Sequence, residues 1–113
     1  LSEEQFHFFV VLTDPAKHDS ILLVNATTIY PNVPYDPACI LEVGDHSFIR
    51  RRSYILYSKA RKISLQRLRQ LIAAKTILFR PPPISPIVFE RIAAGVSGGQ
   101  MSPEYLDFYQ LYK

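Results

Sequence analysis

The apolar pattern of the chain changes period once, at Ser64, and that change restricts the fold more than any other feature. Upstream, the apolar runs are short, aromatic or β-branched, and bounded by turn residues, as strands are. Downstream, apolar residues fall three and four apart behind Ser starts, as in amphipathic helices. With 113 residues, 48% of them hydrophobic, the chain can build one core but not two. The expectation is a single α+β domain over residues 1–113, mainly β over 1–63 and mainly helical over 64–113. The terminal helices should cover one side or end of a small sheet.

Within the first part, Phe6 to Leu12 and Ser20 to Ala26 are joined by Asp14-Pro15 and the polar Lys17-His18-Asp19, which reads as a β-hairpin. Both runs are almost continuously apolar, as expected for strands covered on both faces or curled into a small barrel. Pro31, Pro34 and Pro37 impose an extended loop carrying Tyr30 and Tyr35. Aromatic rings in such a loop are expected to pack back on the domain rather than to stack on bases. Cys39 to Val43, closed by Gly44-Asp45, suggests a third strand, and Ser53 to Ile63 a fourth. Ser64 then caps a helix with Leu65, Leu68, Leu71 and Ile72 on one face, which must stop before Pro81-Pro82-Pro83. Ser85-Pro86 and Ser102-Pro103 each place Ser at a cap and Pro at the first helical position. Gly95, Gly98 and Gly99 separate these two helices, and Tyr105, Phe108, Tyr109 and Tyr112 fall at the spacing of a core or dimer face. No internal repeat is present.

The charge is uneven. Ten of the thirteen Lys and Arg residues lie between Arg50 and Arg80, a segment with no Asp or Glu. Such a field attracts phosphate backbones or anionic lipid through long-range attraction and counterion release, despite a net charge of only +3. The lone Cys39 excludes an intrachain disulfide, and a reducing, cytoplasmic location fits best. No apolar run approaches the roughly 20 residues of a bilayer-spanning helix.

The succession FHFFVVLTDP (6–15), ILLVNATT (21–28) and SYILYSKARKIS (53–64) leading into a capped helix resembles the PemK/MazF-like toxin family. The resemblance covers roughly the first two thirds of the chain, and its motifs are short. It implies an SH3-like β-barrel followed by C-terminal helices. It also implies a metal-independent endoribonuclease of a toxin–antitoxin system, cofactor-free, cutting single-stranded RNA, often a homodimer, and held inactive by an acidic antitoxin protein. Thr27-Thr28 stands where the family has a Thr-Ser pair that contributes to the active site, so Thr28 joins the candidates. The family's Gly-x-Arg-Pro loop is absent, and Leu56 and Ser58 stand where its late-strand Arg and Asp would be.

Any chemistry must then use another set, and GDHSFIRRRSYILY (44–57) offers one. Metal-independent RNA cleavage needs a base for the 2′-hydroxyl, an acid for the leaving 5′-oxygen, and donors for the charge on the phosphorane. His46 supplies a near-neutral titratable group, Arg50 a cation for the phosphate, and Ser53 and Tyr57 hydroxyl donors. Asp45, adjacent to His46 in sequence, is expected to shape the turn rather than orient the imidazole. Arg50, Arg51, Arg52, Lys59, Arg61 and Lys62 form the expected RNA-binding set. A metal site would need two or three of His7, His18, Asp19, Asp45 and His46 to converge, and their spacing gives little support for one. Cys39 lies in an apolar run without a basic neighbour, so it is not a candidate nucleophile. Two other functions use the same patch: a non-catalytic nucleic-acid-binding module, and an interaction protein docking an acidic partner.

Overall fold

The computed structural model describes residues 8–78 and 82–113. Five strands and three α-helices follow in the order β1 (Phe8–Val11), β2 (Ser20–Thr28), β3 (Ile40–Leu41), β4 (Ser53–Ile55), β5 (Arg61–Ser64), α1 (Leu65–Ala73), α2 (Pro86–Ala94) and α3 (Pro103–Tyr112). The fold is α+β, as the change of period at Ser64 implies. The expected start of the first strand at Phe6, and the residues His7 and Arg80, lie outside the described residues.

β2 is the spine of an antiparallel sheet. β1 pairs along one edge, with Phe8 opposite Ala26 and Val11 opposite Leu23. The other edge is shared: β4 takes Ala26 to Thr28, and β5 takes Ser20 to Leu23. β3 lies outside β4, with Leu41 opposite Ser53. The pairings give an open antiparallel sheet among the described residues rather than a closed barrel.

One strand was expected over Ser53 to Ile63; a 3-10 turn at Tyr57–Lys59 divides it. The turn carries the Tyr57 side chain out of the sheet and into the core, where its hydroxyl donates to the Ile92 carbonyl at 2.6 Å. The ladder is not lost there, because the Leu56 N–H still donates to the Asn25 carbonyl. The third strand shortens from the expected Cys39–Val43 to Ile40–Leu41.

The core lies between one sheet face and the two later helices. Phe8, Val10 and Leu12, Leu22 and Val24, Leu41 and Ile55 meet Val88 and Ile92 of α2, Val96 just after it, and Phe108 and Tyr109 of α3. The aromatic spacing of the last helix is therefore a core face, with Tyr105 and Tyr112 packed partly buried against it. Both later helices start at the Ser-Pro pairs; Ser85 Oγ accepts the Val88 N–H, whereas Ser102 stands at the N-cap of α3 without a side-chain cap hydrogen bond. α1 also has its cap, Ser64 Oγ accepting the Arg67 N–H, but it buries no residue fully. No helix among the described residues is long and apolar enough to cross a membrane.

Candidate nucleic-acid interface

The segment before β4 is shaped by Asp45. Its carboxylate accepts the Glu42 N–H at 2.8 Å and two guanidinium bonds from Arg91 of α2, at 3.2 and 3.0 Å. Arg91 also donates to the Ile40 carbonyl at 2.6 Å. The hydrogen bonds from Arg91 hold the Asp45 carboxyl below the usual carboxylate range. Gly44 sits at φ +107°, a conformation that side chains with a Cβ rarely adopt, and lets the chain enter this turn.

His46, the next residue, turns inward and is 5% exposed. Its Nδ1 accepts the Phe48 N–H at 3.0 Å, which places the ring proton on Nε2, and Nε2–H donates to the Pro82 carbonyl. The imidazole also lies against the Phe8 ring, with centroids 4.6 Å apart. Both nitrogens are thus engaged in holding the turn, β1 and the Pro82 segment together. Outside it, a shallow, open depression of about 590 Å³ is lined by Val43, Gly44, His46, Ser47, Ile49 and Arg50. The structure therefore brings His46 and Arg50 to one place, with the imidazole as part of the wall.

The register places two more expected site residues side by side, Thr28 opposite Ser53. Ser53 is buried, and its hydroxyl donates to the Arg51 carbonyl at 2.8 Å. Tyr57 stands apart from this group. It is fully buried against α2, and burial raises its phenol well above the usual value. Cys39 is likewise buried, and desolvation raises its thiol.

The cations stay outside. Arg50, Arg51, Arg52, Lys59, Arg61 and Lys62 are all exposed. Arg52 is held by Glu42 at 3.1 Å, Arg61 lies over the Phe9 ring at 6.0 Å, and Lys62 lies over the Phe108 ring at 4.7 Å. The side chains of Arg50, Arg51 and Lys59 make no hydrogen bond or ion pair among the described residues. The sheet fixes their spacing. Ser53 pairs Thr28 and Arg61 pairs Leu23, five positions along β2, so the Arg50–Arg52 loop and the β5 cations stand roughly 17 Å apart. A ligand meeting both must be extended.

Tyr30 and Tyr35, expected to pack inward, are 53% and 40% exposed. Tyr35 leans on Tyr54 of β4 with centroids 5.5 Å apart. The loop is pinned instead by the buried Asp36, which accepts the Ala38 and Gln100 N–H groups at 3.0 and 3.1 Å. No group of three or more His, Cys, Asp or Glu comes together among the described residues. Comparison with protein-family models, with curated proteins and with solved structures finds no match for this chain.

Proposed function

We infer that this protein binds single-stranded RNA along the cationic side of β4 and β5. The observation that carries this is the pair Arg50 and Arg51, two exposed guanidiniums with no partner among the described residues, inside a stretch free of acids. Unpaired surface cations at close spacing repel one another, and a phosphate backbone relieves that repulsion while releasing its counterions. Arg61 continues the track from the other half of β2, while Lys62, next to it on β5, turns to the opposite face over Phe108. A fluorescein-labelled 12-nucleotide RNA titrated at several salt concentrations tests this, and affinity should fall steeply as salt rises. Salt-independent binding, or none, contradicts it.

A second reading is a metal-independent endoribonuclease of a toxin–antitoxin system, in the cytoplasm, with an acidic antitoxin as partner. The shallow depression that joins His46 to Arg50 favours it, as does the Thr28–Ser53 pair beside the Arg51 carbonyl. The long β2, with two strands on one edge, is also the element around which an SH3-like barrel would curl. For His46 to move a proton it must release Phe48 or Pro82, which makes turn opening part of such a mechanism. Cleavage in EDTA leaving cyclic-phosphate ends, lost in His46→Ala while RNA binding persists, is its signature. Binding without cleavage leaves the non-catalytic function.

A further inference from the structure

The sheet face turned away from the core carries a polar group that the fold does not satisfy. Asn25 lies at the middle of β2, directly opposite Phe9, and is 7% exposed. Its side chain makes one hydrogen bond among the described residues, Nδ2 to Thr27 Oγ1 at 3.2 Å. An amide offers two donors and an oxygen acceptor. Turning the amide round exchanges its ends but still leaves one of them without a partner. A buried polar group left so destabilises the fold. β2 is otherwise apolar from Ile21 to Val24, so Leu or Val at this position would suit the sheet better.

The surroundings of Asn25 define what would satisfy it. Alternation along β2 puts Thr27 on the same face, and Tyr54 lies opposite Thr27 on β4. Tyr35 leans on Tyr54 at a 44° interplanar angle and is 40% exposed. On the other side Arg61, opposite Leu23, projects over Phe9. An amide opposite the Phe9 ring, with Tyr54 diagonally along the same face and a guanidinium at the rim, has the groups that single-stranded base recognition uses. There the ring stacks on an aromatic side chain and its edge hydrogen-bonds to a polar group. Every base edge carries at least one N–H donor, and the free Oδ1 of the amide is an acceptor for it.

Resting on the RNA-binding reading, we propose that Asn25 is a base-reading residue, with Tyr35 and Tyr54 as the stacking wall and Arg61 holding the adjacent phosphate. The test compares rA12, rC12 and rU12 binding by fluorescence anisotropy for the parent protein, Asn25→Val and Tyr35→Ala, with thermal melts of all three. The parent should prefer one homopolymer by roughly 5- to 100-fold. Asn25→Val should erase that preference, keep the salt slope, and melt at or above the parent temperature, because an unsatisfied amide has been replaced by an apolar side chain. Tyr35→Ala, on an exposed loop, should weaken all three RNAs without altering the salt slope. Preference retained in Asn25→Val, or a lowered melting temperature with preference unchanged, overturns the proposal and makes the amide structural. If the parent binds all three RNAs equally and with steep salt dependence, base reading falls and RNA binding stands. If it binds none, both fall.

Discussion

The Tyr57 ring leaves no room for side chains beside it. A Cβ at Gly99 would come within 2.5 Å of the ring, and one at Gly95 would collide with the hydroxyl and sit 3.0 Å from the Ala38 carbonyl. Gly99→Ala should therefore cost about 1–3 kcal/mol in chemical denaturation, while Gly98→Ala, facing open space, should cost far less. Tyr57→Phe should cost about 0.5–1.5 kcal/mol, since it removes the buried hydroxyl bond to the Ile92 carbonyl and leaves that carbonyl only the longer Gly95 N–H contact. Asp45 makes the fold sensitive to acid. Arg91 lowers its folded pKa below the unfolded value of about 3.9, so its contribution is complete above that pH and disappears as pH falls through the folded value. Asp45→Asn should flatten the dependence of melting temperature on pH below about 4 and leave neutral-pH fold content unchanged.

Among the elements, the helices differ in what holds them. α2 and α3 bury Val88, Ile92, Phe108 and Tyr109, while α1 has a capped start and an amphipathic pattern but no fully buried residue. Its backbone amides should exchange with deuterium fastest of the three, and Ser64→Ala should accelerate them further, by a factor reflecting a cap worth about 1 kcal/mol. Helix starts were legible in the chain because Ser-Pro and Ser capping are local chemistry. The interruption between β4 and β5 was not, because Ser53 to Ile63 has the composition of one strand, and the turn there docks Tyr57 on Ile92, 35 residues away. The exposure of Tyr35 was missed for a similar reason. Its loop is anchored by Asp36 to Gln100, a contact with no local signature.

For the whole molecule, the charge map carried over from sequence to structure with little loss, because Lys and Arg stay at the surface whatever the fold. The site chemistry carried over less. His46 and Arg50 do meet at one shallow depression, yet the imidazole is committed to Phe48 and Pro82, and Tyr57 belongs to the core. Asn25 had a faint signal, a lone amide in an apolar strand, whose meaning depends on cross-strand neighbours that only the register supplies. The central claim, that the cations around β4 and β5 meet RNA phosphates, rests on Arg50 and Arg51 more than on any other pair. Its most direct test is the dependence of RNA affinity on salt for the parent and for Arg50→Gln/Arg51→Gln. Each single-strand phosphate contact contributes about 0.7 to the slope of log affinity against log salt. The double variant should keep its melting temperature, bind more weakly at low salt, and lose about 1.4 from that slope. An unchanged slope and affinity in a folded double variant would contradict the account.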